Sequence, residues 1–186
     1  MTIKIKIMMI SKKLIIDICA GRGGATQSFL NNPDYEVITL DTNLKVKPTI
    51  CCDIRYLPLK DNLKPDLVWC SPPCTNLSLA KSKNWINHNI KETFEIIGAC
   101  FDAVYKLQPK KWCLENPKGR LRWLMPNSIE IKYATSKEKR MQRGKLVTKF
   151  ANKKTNLWSD NNASLKRAFI PKHISNSILN WCEDNS

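Results

Sequence analysis

Short apolar runs alternate along the chain with longer stretches in which apolar residues recur at helical spacing. Residues 14–18, 37–40, 49–52 and 66–70 are short apolar runs, and each predicts a buried strand. A helix is expected after the first glycine turn, as far as Leu30. This alternation is typical of βαβ units, so the sequence predicts an α/β fold with a mostly parallel sheet.

The second half of the chain continues this pattern less regularly. Residues 90–107 predict a long helix and residues 112–114 a fifth strand. Two further strands are expected at 129–134 and 155–158. A closing helix is expected over 171–182, because Pro171 suits the first turn of a helix. The intervening residues 78–89 are polar and rich in Lys and Asn, which predicts a loop.

Length and charge narrow the class of protein. A chain of 186 residues fits one domain, here 1–186, in which residues 14–120 carry the candidate chemistry. The net charge of +15 is concentrated in 106–172, where 18 Lys and Arg face 4 acidic residues. We expect the basic part, 121–170, to contact a nucleic acid, because neutralising phosphates releases counterions. Candidate phosphate contacts are Arg120, Arg122, Arg140, Arg143, Lys153 and Lys154.

Cysteine usage and hydropathy bear on the cellular compartment. The eight cysteines lie mostly in apolar runs, which is typical of free buried thiols. Only Cys70 and Cys74 approach the spacing of a zinc-binding pair, so no metal is expected. No apolar run reaches the roughly 18 residues of a membrane span, and Lys interrupts the apolar N-terminal segment. We therefore expect a cytoplasmic protein with no membrane partner.

The first candidate site is Asp17-Ile-Cys-Ala-Gly-Arg-Gly-Gly24, where a predicted strand gives way to a helix. Glycines at such a turn let the backbone approach a ligand closely. Asp41 follows 20 residues after Gly21 at the end of the second predicted strand, and Asp53 ends the third. Strand-end carboxylates around a glycine turn suit the hydroxyls of a ribose, so we expect a cofactor that contains a nucleoside.

Two further segments carry candidate chemistry at the same edge of the predicted sheet. In Cys70-Ser-Pro-Pro-Cys74, two prolines stiffen the loop and hold Cys74 in a defined place. Cys74 is a candidate nucleophile, since a thiolate forms where positive charge or a helix N-terminus is nearby. In Glu115-Asn-Pro117, an apolar strand delivers a carboxylate that can hydrogen-bond a ring nitrogen or donate a proton.

Taken in order, these segments resemble the DNA cytosine-5-methyltransferase family, and specifically its short phage and viral members. The resemblance implies a Rossmann-like fold with a mostly parallel seven-stranded sheet, helices on both faces, and S-adenosylmethionine as cofactor. It implies methyl transfer to C5 of cytosine in DNA through a covalent Cys74 adduct, with Glu115 gripping the base. The residues implied for the cofactor are Asp17, Cys19, Ala20, Gly21, Gly23, Asp41, Thr42, Asp53, Ile54, Ser71 and Pro72.

The chain also departs from the family pattern. Cys19 stands where the family has an aromatic residue, and Thr75 where Gln is usual. The Gln-x-Arg-x-Arg motif is reduced to Gln142-Arg-Gly-Lys145. A length of 186 residues leaves no room for the separate target recognition domain of larger members. We therefore expect short or loose sequence specificity, or specificity supplied by a homodimer or another partner.

Other functions remain open at this point. Ser71-Pro-Pro-Cys74 also resembles the Pro-Pro motif of amino methyltransferases, which modify N4 of cytosine or N6 of adenine. A different class is a nucleic-acid-binding protein that keeps the fold and the basic surface but has weak catalysis. RNA is a further candidate substrate, since nothing in the sequence reads a 2′-hydroxyl. A viral origin would place the protein in the host cytoplasm.

Overall fold

We describe a computed structural model of the chain, and the structure describes residues 12–77, 90–117, 119–142, 145–159 and 174–183. Its strands and helices alternate as the sequence predicts. In chain order they are β1 Lys13–Ile18, α1 Gln27–Leu30, β2 Tyr35–Asp41, β3 Ile50–Cys51, β4 Leu67–Cys70, α2 Ile90–Leu107, β5 Lys111–Pro117, α3 Leu121–Leu124, β6 Ile129–Gln142, β7 Lys145–Ser159 and α4 Ile174–Glu183.

The strands form one seven-stranded sheet in the order β3-β2-β1-β4-β5-β7-β6. Strands β1 to β5 pair in parallel, whereas β7 is antiparallel to both β5 and β6. The predicted Rossmann-like, mostly parallel sheet is thus confirmed. The order changes direction between β1 and β4, so the loops after these two strands diverge at the sheet edge where α/β proteins bind ligands.

Helices cover both faces of the sheet, as predicted. One face packs Ile16, Val68 and Leu114 against α2, which contributes Cys100 and Ala103. On the other face, alternate strand residues pack against Phe29 of α1 and Trp181 of α4; they are Ile15, Leu67, Trp69, Cys113 and Leu157. Buried residues on both sides explain why these strands are almost continuously apolar in sequence.

The structure corrects several predicted boundaries. Helix α1 spans only four residues and begins at Gln27, because the Thr26 N–H donates to the Gly23 carbonyl and keeps the preceding residues in turns. Strand β5 continues through Pro117, so Glu115 lies within the strand and pairs with Leu157 of β7. The predicted helix at 171–182 is present as α4, and its residues 171–173 lie outside the described chain.

The basic connection between the last two predicted strands is part of the strands themselves. Strands β6 and β7 are 14 and 15 residues long and form a hairpin, with an irregularity between Ala134 and Lys137. Only residues 155–159 of β7 pair with β5, so the rest of the hairpin extends as a two-stranded ribbon. Backbone pairing between strands satisfies its own hydrogen bonds whatever the side chains are, which is why a polar, Lys-rich sequence forms it.

Among the described residues, no helix combines the length and the apolar character needed to cross a membrane. The expected loop at 78–89 lies outside the described residues. All eight cysteines carry free thiols, as the sequence predicts. Only three of them, Cys70, Cys100 and Cys113, are buried; four of the others lie near strand ends or in loops, and Cys182 lies in α4.

Candidate active site and cofactor pocket

The turn after β1 is built from residues in the left-handed backbone region. Cys19, Gly21 and Gly23 have φ angles of 56°, 54° and 69°. A Cβ atom at either glycine would meet nothing within 4 Å, so these positions favour glycine for its conformation rather than for lack of space. Cys19 adopts the same backbone region although it has a side chain, at a cost of order 1 kcal/mol. Residues with such strained backbone conformations are concentrated at functional sites.

Asp41 fastens this turn to the end of β2. Its carboxylate accepts a 2.8 Å hydrogen bond from the Gly21 N–H on one oxygen and another of 2.8 Å from the Asn43 N–H on the other. Each carboxylate oxygen has a second lone pair, so the same group can still accept hydrogen bonds from a ribose. Gly21 and Asp41 lie 20 residues apart in the sequence, and this hydrogen bond brings the turn and the acid into direct contact.

Asp17 lies behind the turn in the core. Its Oδ2 accepts a 2.6 Å hydrogen bond from the Thr26 hydroxyl, while Oδ1 is buried and has no partner among the described residues. Burial raises the pKa of Asp17 to about 7, the Thr26 hydrogen bond opposes this rise, and the charge of Asp41 adds to it. An unmatched carboxyl oxygen beside the glycine turn suits a cationic or hydrogen-bonding ligand.

A cleft of about 160 Å³ opens beside these residues. Five of the predicted cofactor residues line it, namely Cys19, Asp41, Thr42, Asp53 and Ile54. The other six do not line it and lie in the core, the turn or the next loop; they are Asp17, Ala20, Gly21, Gly23, Ser71 and Pro72. The cleft is small for a complete cofactor and suits part of one, with the open glycine turn beside it.

Six further residues line the cleft that the sequence did not assign to a cofactor: Leu40, Cys52, Arg55, Pro73, Glu92 and Ile96. Pro73 belongs to the loop that carries Cys74, while Glu92 and Ile96 come from the first turns of α2. Pro73 is the important addition, because it brings the candidate nucleophile loop to the candidate cofactor pocket. The helical periodicity of residues 90–107 predicts that α2 exists. The local sequence does not indicate which strand ends the first turns of α2 face.

Asp53 takes part in an ion-pair network. Its carboxylate accepts from Arg55 Nε at 3.0 Å and from Nη2 at 2.6 Å, and these hydrogen bonds hold the pKa of Asp53 below its usual range. Arg55 also donates to Glu95 of α2 at 3.2 Å. Asp53 thus lines the cleft while Arg55 fixes its orientation. The spacing Asp-x-Arg is the only sequence signal for this pair.

Cys19 extends a line of thiols into the core. Its thiol interacts with that of Cys100 of α2, and Cys100 with Cys70 at the end of β4, within one core cluster. The Cys100 contact, with burial, raises the pKa of Cys19. The contact with Cys19 lowers the pKa of Cys100, but the Cys70 contact and burial outweigh it and raise that pKa. Cys19 and Cys100 are neutral packing groups, because a raised pKa keeps a thiol protonated. In the described chain, no group of three or more His, Cys, Asp or Glu residues is arranged to hold a metal ion.

The loop after β4 places Cys74 at the same edge of the sheet. The Ser71 N–H donates to the carbonyl of Ile18 at 2.9 Å, so the loop starts beside the end of β1. The Leu77 N–H donates to the Cys74 carbonyl at 2.9 Å, which closes a turn around the half-buried Cys74. On the α2 side, Asn76 Nδ2 donates to the buried Thr93 hydroxyl at 2.7 Å.

The strand that carries Glu115 holds this loop from the other side. Asn116 is buried, and its Nδ2 donates to the carbonyl of Pro72 at 3.1 Å. That bond joins the residue after Glu115 to the residue two before Cys74, although the partners lie 44 positions apart. Glu115 itself is half-buried. Both candidate catalytic residues are therefore held on connected segments.

The segment after β5 completes the support of the nucleophile loop. The Arg120 N–H donates to the Leu77 carbonyl at 2.8 Å, and Gly119 lies so close to that carbonyl that a Cβ atom would overlap it. Of the six candidate phosphate contacts, Arg120 and Arg122 flank the start of α3. Arg140, Lys153 and Lys154 occupy the β6–β7 hairpin, and Arg143 lies outside the described residues.

The Rossmann-like fold of this chain is found in methyltransferases of known structure. A crystal structure of a proposed DNA modification methyltransferase from an Escherichia coli prophage shares it with a TM-score of 0.52 at 13% sequence identity. The match covers 87% of this chain and 51% of that one. At such low identity the likeness concerns the fold alone.

The sequence is similar to a viral protein as well. Over 122 residues it is 26% identical to the "Probable DNA (cytosine-5)-methyltransferase" of Frog virus 3 (isolate Goorha), and the match covers 58% of this chain. The chain spans about half the length of this curated relative, with 56% covered. No protein-family model matches the chain. The resemblance to viral DNA cytosine-5-methyltransferases is thereby confirmed.

Proposed function

We propose that this protein is an S-adenosylmethionine-dependent methyltransferase that modifies C5 of cytosine in DNA, with Cys74 as nucleophile. The observation that carries the proposal is the hydrogen bond from Asn116 to the Pro72 carbonyl. It joins the loop of the candidate nucleophile to the strand of the candidate base-binding carboxylate. Pro73 of the same loop lines the cleft beside Asp41, so the candidate nucleophile, base-binding and cofactor segments lie at one edge of the sheet.

The cleft residues fit the proposed cofactor. Asp41 would hold its ribose, and Asp53 and Ile54 would face its adenine. When bound, S-adenosylmethionine supplies an electrophilic methyl group. Cys19 leaves the cleft without the aromatic stacking surface usual in the family.

The roles of Cys74 and Glu115 follow from the chemistry of cytosine. C5 is a poor nucleophile, so the Cys74 thiolate adds to C6 and forms an S–C6 bond, which makes C5 electron-rich. Glu115 hydrogen-bonds N3 and the exocyclic amine and stabilises the charge that develops on the ring. Once C5 carries the methyl group, removal of the C5 proton breaks the S–C6 bond, regenerates Cys74 and restores the aromatic ring.

DNA as the substrate is supported by charge. Strands β6 and β7 together contain eight Lys or Arg and two Glu, and their hairpin extends from the edge of the sheet. A two-stranded ribbon fits the major groove of DNA, and its positive charge favours phosphates. A target cytosine has to leave the base stack, since a thiol cannot reach C6 within a duplex.

The test is to incubate the protein with S-adenosylmethionine and mixed-sequence DNA, digest the DNA and identify methylated nucleosides by mass spectrometry. We expect 5-methylcytosine, reduced by about 10⁴-fold or more in Cys74→Ser. Cys182→Ser is the matched control, because Cys182 packs on the opposite face of the sheet with α4 and should leave the product unchanged. N4-methylcytosine or N6-methyladenine would instead support amino methylation.

A second assay isolates the covalent step. In DNA that carries 5-fluorocytosine, the fluorine at C5 cannot leave as a proton does, so the S–C6 adduct persists after methyl transfer. We expect a protein–DNA species that survives denaturing electrophoresis with the wild type and with Cys182→Ser, but not with Cys74→Ser. Absence of the adduct from a protein that makes 5-methylcytosine would refute the role of Cys74.

A further inference from the structure

Helix α3 presents two adjacent large apolar side chains to solvent. Trp123 is 61% exposed and Leu124 is 59% exposed, although both follow the buried Leu121 within one helical turn. Isolated exposed apolar residues are common on protein surfaces, whereas a neighbouring aromatic and aliphatic pair forms a continuous contact surface. We call Trp123 and Leu124 the α3 platform. Nothing in the proposed chemistry of Cys74 and Glu115 uses it.

The α3 platform is firmly anchored. Leu121 packs in the same core cluster as Leu77, and the Met125 N–H donates to the Leu121 carbonyl at 2.8 Å. Trp158 of β7 donates from Nε1 to the carbonyl of Met125 at 3.0 Å. A surface that is already ordered loses little further entropy when a ligand binds to it.

The platform is also close to the nucleophile loop. The Trp123 N–H donates to the Arg120 carbonyl, the Arg120 N–H to Leu77, and the Leu77 N–H to Cys74, with distances of 2.8 to 3.0 Å. Each link spans at most about 7 Å between Cα atoms, so Trp123 lies within about 20 Å of Cys74. At 3.4 Å per nucleotide along a stacked strand, this is a reach of about six nucleotides.

Two arginines accompany the platform. Arg120 and Arg122 directly precede it in the chain, and the Arg122 guanidinium lies 5.9 Å from the centre of the Trp123 ring. Nε of Arg122 is buried and has no hydrogen-bond partner among the described residues. An aromatic surface beside guanidinium groups is the combination that binds unpaired nucleotides, in which the ring stacks on a base and the cations meet phosphates.

We propose that Trp123 and Leu124 form a stacking platform for a nucleobase of the DNA strand that flanks the target cytosine, with Arg120 and Arg122 on the adjacent phosphates. The inference rests on the proposed function, because it takes the target to be a base held at Cys74. The platform grips the strand whatever its sequence, since every base has a stacking face. It therefore contributes affinity and hardly any sequence preference.

The test uses a fluorescein-labelled single-stranded oligodeoxynucleotide of mixed sequence, with binding followed by fluorescence anisotropy. We expect Trp123→Ala to weaken binding by about five- to a hundredfold, the range found for loss of one stacked base. Trp123→Phe should retain most of the affinity, because it keeps an aromatic face. Tyr105→Ala is the matched control: Tyr105 is 81% exposed on α2, near the opposite edge of the sheet, and its removal should leave affinity unchanged.

A second readout reports stacking directly. With 2-aminopurine placed at successive positions around a single cytosine, we expect one or two flanking positions to be quenched by the wild type and by Trp123→Phe, but not by Trp123→Ala. Equal affinity and equal quenching for Trp123→Ala in a protein that produces 5-methylcytosine would overturn this inference and leave the proposed function intact. Failure of the wild type to bind or methylate DNA would overturn both.

The same variants distinguish a protein partner from DNA. If Trp123→Ala changed the sedimentation of the protein but not its affinity for the oligonucleotide, the platform would be an interface between proteins and the inference would be wrong. Thermal unfolding of each variant serves as the fold control. Trp123 is exposed, so its truncation should shift the melting temperature by only about 1–2 °C.

Discussion

Because the carboxyl of Asp17 is buried, we expect the free energy of unfolding to depend on pH by an amount that can be calculated. Replacement by Asn keeps the shape of the side chain and an oxygen for the Thr26 hydroxyl, but removes the ionisable group. The pKa of Asp17 is about 7 in the folded protein and 3.8 as the ordinary value, because burial penalises its charged form. Between these pH values the folded state binds a proton that the unfolded state has released, so the free energy of unfolding falls as pH rises.

The size of the effect follows from the width of that interval. One pH unit corresponds to 1.36 kcal/mol, so ionisation of Asp17 lowers the free energy of unfolding by about 4 kcal/mol between pH 4 and pH 7. Above pH 7 both states have released the proton and the penalty is constant. The Asp17→Asn variant escapes this loss. Its stability relative to the wild type should therefore rise by about 4 kcal/mol across the interval.

The assay is urea unfolding of both proteins at half-unit steps from pH 4 to pH 8, with the difference in free energy plotted against pH. A fixed cost of burying the Asn amide shifts the whole curve and leaves its slope unchanged. Asp53→Asn provides a control that should be nearly flat over this range: Arg55 lowers the pKa of Asp53, so its carboxylate loses its stabilising effect only below about pH 3.8. A flat curve for Asp17→Asn would refute the argument from burial.

Two contacts of the nucleophile loop give further predictions. Gly119→Ala places a Cβ against the Leu77 carbonyl and should destabilise the protein by about 1–3 kcal/mol, whereas Gly98→Ala, in open space on α2, should stabilise it by about 0.5–1 kcal/mol in urea unfolding. Stabilisation by Gly119→Ala would contradict the packing. Asn116→Ala leaves the Pro72 carbonyl without its buried donor and should cost about 1–3 kcal/mol and reduce methyl transfer, measured by calorimetry and nucleoside analysis. Wild-type stability and wild-type methyl transfer in Asn116→Ala would show that the hydrogen bond from Asn116 to Pro72 does not position the loop.

Local sequence patterns were sufficient to predict most elements of the fold. The apolar runs of β1, β2 and β4 and the periodicity of α2 depend on short-range stereochemistry and on burial of whole elements, and both leave a periodic signal. The glycine turn is also predictable from the sequence, because a positive φ favours glycine at Gly21 and Gly23. Ordered segments around Cys74 and Glu115 were enough to indicate the family resemblance.

The pattern of apolar and polar residues does not predict a strand that forms only because it pairs with another strand. The β6–β7 hairpin is polar, and only cross-strand backbone hydrogen bonds make it a strand pair. Glu115 was expected after β5 but pairs within it, because β7 extends the ladder as far as Pro117. Glu115 pairs with Leu157, about 40 positions away in the chain, and a local window around Glu115 contains no trace of that partner.

The sequence by itself therefore determined the kinds of elements, the glycine turn and the candidate chemical groups, since each depends on neighbours within a few residues. Only the tertiary structure decided that Pro73 borders the cleft. It also decided that Asn116 donates a hydrogen bond to the Pro72 carbonyl and that Arg55 forms an ion pair with Asp53. It also decided that Trp123 remains exposed while Leu121 is buried. The physical reason is that hydrogen bonds and burial depend on distances in space, which the order of residues along the chain constrains only locally.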